Sequence, residues 1–123
     1  MYETNAMATK TVVVTGSSRG VGAATALLYA AEHCNVVLNC SSSVEAAEKV
    51  AAKCRAAGGD VLLVQCDLAD EAGCQKLIGA AVERFGVIDV LVNNAGTTKF
   101  VDCVRRVQRR PQRHDQGAGA RAG

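Results

Sequence analysis

The run TVVVT, Thr11 to Thr15, ends directly on Gly16. An unbroken β-branched stretch of this kind is stable as a strand where both of its faces are covered, because a strand with one wet face alternates apolar with polar residues. It therefore asks for helices on both sides of a sheet, and the chain supplies them. Val21 to His33 (VGAATALLYAAEH) is rich in Ala and Leu and free of Pro, which favours a helix whose small residues can approach a sheet closely. Asn35 to Cys40 (NVVLNC) reads as the second strand. Ser42 and Glu45 then stand in the S-x-x-E relation that satisfies free backbone donors at a helix start. A second helix is expected from about Ser43 to Ala57, stopped by Gly58 and Gly59. Val61 to Cys66 (VLLVQC) is a third strand, Asp70 caps a third helix to Phe85 closed by Gly86, and Val87 to Asn93 (VIDVLVN) is a fourth strand.

Strands alternating with helices in this way are repeated βαβ units, with right-handed crossovers and a parallel sheet. The expected fold class is α/β: a Rossmann-like doubly wound parallel sheet, incomplete, of about four strands and three helices. That order sets strand four beside strand one, with strands two and three on the far side. Ligands bind such sheets at the carboxyl ends of the strands where the order reverses, and the loops TGSSRGVG and NNAG fall there. Three regions are expected: a flexible leader over residues 1–10, in which Met7 could equally be the natural start; a nucleotide-binding part over 11–100; and a basic, disordered tail over 101–123. In that tail the apolar periodicity fails and Pro111 sits among clustered arginines.

Charge divides at the same place. Residues 1–100 hold eight Lys/Arg against ten Asp/Glu, whereas 101–123 hold six Arg against two Asp, so the excess positive charge lies in the tail. A basic arm for nucleic acid or another acidic partner is one reading of it, but there are no interleaved aromatics for base stacking and no reader motif. The six cysteines, Cys34, Cys40, Cys54, Cys66, Cys74 and Cys103, include no C-x-x-C pair and no His at metal-ligand spacing. Several lie in apolar runs, where a free thiol behaves as a small hydrophobe, so reduced thiols in a cytoplasmic protein are expected over disulfides, and no metal site. No apolar run approaches the roughly 20 residues that cross a bilayer, so no membrane span is expected.

The glycine-rich turn carries the chemistry. In T-G-S-S-R-G-V-G, Gly16 permits a tight exit from the strand, Gly20 lets backbone approach a pyrophosphate, and Gly22 lets the helix sit close to the sheet. The helix amino terminus offers unpaired N–H groups and the positive end of its dipole to phosphates. Asn93-Asn94-Ala95-Gly96 follows a buried strand, where small residues admit a ribose and an Asn amide can tie neighbouring strands. TGSSRGVG, the CDL of Cys66 to Leu68, and NNAG, in this order and spacing, resemble the short-chain dehydrogenases/reductases, and among them the 3-oxoacyl-carrier-protein reductases. The resemblance covers about residues 9 to 100. It implies that Gly16, Ser18, Arg19, Gly20 and Val21 surround cofactor phosphates and ribose, that Asp67 and Leu68 flank the adenine, and that Asn93, Ala95 and Gly96 line the nicotinamide side.

The cofactor's identity turns on the end of strand two. An NAD site presents a carboxylate there to the adenosine ribose hydroxyls; this chain has Asn39, Cys40, Ser41 and Ser42. A 2′-phosphate, which a carboxylate would repel, could instead be held by Arg19 and the hydroxyls of Ser41 and Ser42, and Asn39 is counted with them as cofactor-binding. NADP(H) is therefore expected over NAD(H).

Catalysis in the family that the chain resembles looks to a Tyr-x-x-x-Lys pair and a Ser on the preceding strand. The only tyrosines are Tyr2 and Tyr29, and four residues beyond them stand Ala6 and His33. No catalytic residue is therefore assigned, and the chain is expected to bind a cofactor without turning over substrate, as a truncated or frame-altered reductase. The alternatives are a non-catalytic nucleotide-binding module with a basic arm, and assembly with a separate chain that supplies further strands. Unless such a partner covers it, strand four would be an open apolar edge, prone to self-association or aggregation.

Overall fold

The computed structural model of the chain describes residues 10–18, 20–94 and 103–106. The elements run β1 (Thr11–Val14), α1 (Gly20–Ala31), β2 (Asn35–Cys40), α2 (Val44–Ala57), β3 (Asp60–Gln65), α3 (Glu71–Phe85) and β4 (Val90–Val92). The strands form one parallel sheet in the order β3-β2-β1-β4. Thr11 stands opposite Asn35 on one side of β1, and Val12 opposite Val90 on the other. This is the expected Rossmann-like arrangement, with the fourth strand beside the first.

Because successive side chains of a strand point to opposite faces, the continuous apolar strands feed two cores. Val12 and Val14 of β1, with Val36 and Leu38 of β2, pack on Ala26 and Ala30 of α1 and Ala51 and Cys54 of α2. The intervening Val13 and Val37 pack on Cys74, Leu77, Ile78 and Ala81 of α3. Each fully buried valine or leucine contributes roughly 1.5–3 kcal/mol. The alanines of α1 and α2 allow those helices to lie close to the sheet, as the sequence suggested for α1.

Residues 103–106 add one helical turn to the α3 side. Cys103 and Val104 are buried in that core, while Arg105 and Arg106 are exposed. The tail from residue 101, expected to be disordered and to bury little, thus docks one turn at 103–106. The arginine-rich character of the whole segment conceals two adjacent apolar residues at its start, and these suffice to dock one turn. Residues 1–9 of the leader and the remainder of the tail lie outside the described residues.

Several element ends shift for local reasons. α1 stops at Ala31, two residues before His33, which adopts a left-handed φ of 65° while its N–H bonds Ala30 O and the Cys34 N–H bonds Tyr29 O. β4 is shorter than Val87 to Asn93 because the Asp89 carboxylate takes the Thr11 backbone N–H at 2.8 Å, closing the pairing with β1 from the side. The S-x-x-E reading of α2 is also corrected. Its N-cap is Ser43, with φ −88° and ψ 58°, and no side chain makes the cap bond. Asp70, by contrast, caps α3 as expected, its Oδ1 accepting from Gly73 N at 2.7 Å. Among the described residues no helix is long and apolar enough to cross a membrane.

Candidate functional site

The loop after β1 is held against its neighbours by side chains on both sides. Gly16, at φ 61°, turns the chain out of the strand. Its N–H donates to Asn39 Oδ1 at 3.1 Å, and its carbonyl accepts from Asn94 Nδ2 at 3.1 Å. Ser17, fully buried, continues the tie to β2: its N–H donates to Asn39 O at 3.0 Å, and its hydroxyl accepts from Asn39 N at 2.9 Å. Asn39 also donates from Nδ2 to Cys66 O at 3.3 Å, at the end of β3. On the β4 side the Thr15 hydroxyl donates to Asn93 Oδ1 at 3.2 Å. Residues 15–17 of the glycine-rich loop are thus braced by hydrogen bonds from Asn39 of β2 and from Asn93 and Asn94 beyond β4, with Asn39 itself held by Cys66 beyond β3.

Gly22 makes part of this possible. A methyl group there would meet the Gly16 carbonyl oxygen and lie 2.9 Å from Asn94 Nδ2, so its absence lets the start of α1 close onto both loops. Gly20 serves differently. It has φ 63°, and space within 4 Å of where its Cβ would be is open. That leaves room over backbone at the first residue of α1, a helix with no acidic side chain in its first turn. Its unpaired N–H groups are free of a competing carboxylate there.

A cleft of about 420 Å³ opens at the carboxyl ends of β1, β2 and β3. This falls within the roughly 300–1,000 Å³ of small-molecule sites. Seven of the residues expected from the sequence line it: Gly16, Ser18, Asn39, Ser41, Ser42, Asp67 and Leu68. Their parts differ. Asn39 is buried with its amide engaged by Gly16 and Cys66, so it positions the loop. Leu68 packs its side chain into the α3 core. Asp67 Oδ1 accepts from Ala69 N at 2.9 Å, and Ser41 and Ser42 are exposed at the mouth. Val21 is exposed on α1, and Asn93 lies at the end of β4 bonded to Thr15. Arg19, Ala95 and Gly96 lie outside the described residues.

Other cleft residues were not foreseen: Cys40, Ser43, Cys66 and Ala69. Asn94 was not assigned to the cofactor, but its bond to Gly16 is of the kind expected of an Asn amide in NNAG, one that ties neighbouring strands. The two thiols in the cleft are unsuited to nucleophilic work. Burial pushes both Cys40 and Cys66 up, so they stay protonated near neutrality. No cluster of His, Cys, Asp or Glu suited to a metal ion exists among the described residues.

The donor set suits the adenosine half of a dinucleotide: hydroxyls and backbone at the end of β2, open glycine backbone at the start of α1, and a carboxylate at the end of β3. Residues 10–110 match the family model for short chain dehydrogenase. The chain belongs to that family. The match runs past Phe100, where the family pattern was expected to stop, and takes in the turn at 103–106. Short-chain dehydrogenases use NAD(P), and dinucleotide binding is implied by membership.

Individual relatives agree with the family match. A 3-oxoacyl-[acyl-carrier-protein] reductase of Synechocystis sp. is 44% identical over 94 residues, which are 76% of this chain and 38% of that protein. The versicolorin reductase of Emericella nidulans is 41% identical over 91 residues, 74% of this chain and 34% of its own. Among solved structures, a Serratia marcescens short-chain dehydrogenase/reductase double mutant superposes with TM-score 0.68 at 43% identity, covering 72% of this chain and 36% of that one. An NADH-dependent reductase responsible for alginate metabolism gives TM-score 0.62 at 40% identity over 67% of this chain and 33% of that one. The chain therefore spans about a third of the length of these relatives.

Proposed function

We propose that this chain is the NADP(H)-binding portion of a short-chain dehydrogenase/reductase whose family chemistry is carbonyl–alcohol oxidoreduction. The observation that carries the reading is the cleft mouth at the end of β2, where Ser41, Ser42 and Ser43 stand with no carboxylate. Gly16, Ser18, Arg19, Gly20 and Val21 would hold the phosphates and ribose. Ser41 and Ser42, with Arg19, would hold a 2′-phosphate, and Asn39 would fix the loop that presents them. Asp67 and Leu68 would flank the adenine, while Asn93, Ala95 and Gly96 would face the nicotinamide. When bound, the cofactor supplies or accepts the hydride. What the chain's own residues contribute is a rigid cradle for it.

No Tyr-x-x-x-Lys pair occurs in residues 1–123, and Tyr29 packs against the α1–α2 core. Nothing assigned in these residues would hold a proton at a substrate carbonyl. Binding without turnover is the expected behaviour. Calorimetric titration with NADPH and with NADH, beside a turnover assay on a 3-oxoacyl thioester, tests it. NADPH should bind more tightly, with no oxidation. Equal or tighter binding of NADH would overturn the 2′-phosphate reading, and steady turnover would overturn the non-catalytic one.

A further inference from the structure

Two helical turns face each other at the start of α3. Arg106 donates from Nη1 to Glu71 Oε2 at 3.2 Å. Residues three apart on a helix share a face. Arg106 is three residues after Cys103, and Glu71 three before Cys74, so turns that run antiparallel with Arg106 on Glu71 set Cys103 over Cys74. The side chains lie so. Both cysteines belong to one buried core, and they are in hydrogen-bond contact with each other. Cys74 Sγ also reaches Leu68 O at 3.5 Å, and Arg106 Nη2 lies 3.8 Å from Cys103 Sγ. Cys66, in the same core, is engaged elsewhere, 3.4 Å from Asn39 Nδ2.

We propose that Cys74 and Cys103 are an oxidisable pair that hydrogen peroxide converts to a disulfide, tying the turn at 103–106 covalently to α3. Cys74 has no exposed surface whereas Cys103 keeps 3%, which makes Cys103 the sulfur that meets the oxidant first. Its thiolate attacks one peroxide oxygen, the O–O bond breaks, and the departing hydroxide takes a proton to leave as water. Cys103 is then a sulfenic acid. The Cys74 thiolate attacks that sulfur, the S–O bond breaks, and a second water leaves as the S–S bond forms. The two thiols lose two electrons and two protons in all, and one peroxide accepts them. Burial, and next the neighbouring Cys103 sulfur, push the Cys74 thiol up to about 11, so little of it is thiolate at neutral pH and its attack speeds up as pH rises.

Treatment of the fully reduced chain with peroxide, blocking of the remaining thiols, and mass spectrometry of a non-reduced digest test the proposal. Cleavage at Asp67, Asp70 and Glu71 separates Cys66 from Cys74. The thiol count should fall by two from the six in the chain, with Cys74 and Cys103 in one linked fragment. The link should persist in Cys66→Ser. Pairing of Cys103 with Cys66 or with a second chain would overturn the proposal, as would an unchanged thiol count or separate over-oxidised cysteines. The primary mapping is made on the unsubstituted chain, so its outcome does not depend on the Cys66→Ser variant folding.

Discussion

Gly22 shows how much one missing methyl can decide. Its sequence context announced close helix–sheet packing, but the partners are specific: the Gly16 carbonyl and the Asn94 amide, whose own hydrogen bond spans 78 positions of chain. Gly22→Ala should therefore strain the loop as an overpacked site does, at a cost of about 1–3 kcal/mol, and weaken nucleotide binding with it. Urea denaturation checks this, and an unchanged midpoint would refute it. Asn39 makes the complementary point. A polar residue at the end of β2 reads as a ligand contact, yet its amide is used by Gly16 N and Cys66 O inside the protein. One-dimensional spacing shows which residues can reach a cleft, but not which of their atoms are already satisfied.

Among the elements, the helix starts were unequally legible. Asp70 is the one acidic cap directly before α3, and its bond to Gly73 N forms as expected. Asp70→Ala should cost about 1 kcal/mol, the usual worth of such a cap. Ser42→Ala should leave stability nearly unchanged, because no serine side chain caps α2. Chemical denaturation of the two variants side by side separates them; equal losses would contradict the cap assignment. The S-x-x-E pattern misled because Ser41, Ser42 and Ser43 are consecutive, so that several registers satisfy it and only the backbone path selects one. The turn at 103–106 was missed for a related reason: four residues have no periodicity to read.

For the molecule as a whole, the open surfaces matter most. β4 ends the sheet among the described residues, with Val90, Leu91 and Val92 only half-buried. On α1, Val21 and Leu28 are more than 70% exposed. An unpaired strand edge beside apolar helix surface favours association. The chain is accordingly expected to self-associate, with a weight-average mass in sedimentation that rises with concentration. A mass equal to that of one chain across a roughly hundredfold concentration range would contradict this, since a contact of even micromolar strength would show within it.

The kind and order of the elements, the two-sided burial of the strands and the family motifs were all determined by local pattern. Continuous β-branched runs, alanine-rich helices and glycines at strand exits each express a preference that needs few distant neighbours. The tertiary structure decided what depends on contacts between distant residues: that Asn39 and Ser17 brace the loop, that Asn94 closes on Gly16, that β4 is cut short by Asp89, and that Cys103 lies over Cys74. These follow from where the sheet brings separate loops together. Hydrogen bonds and buried contacts act over a few ångströms of space, whatever the distance along the chain.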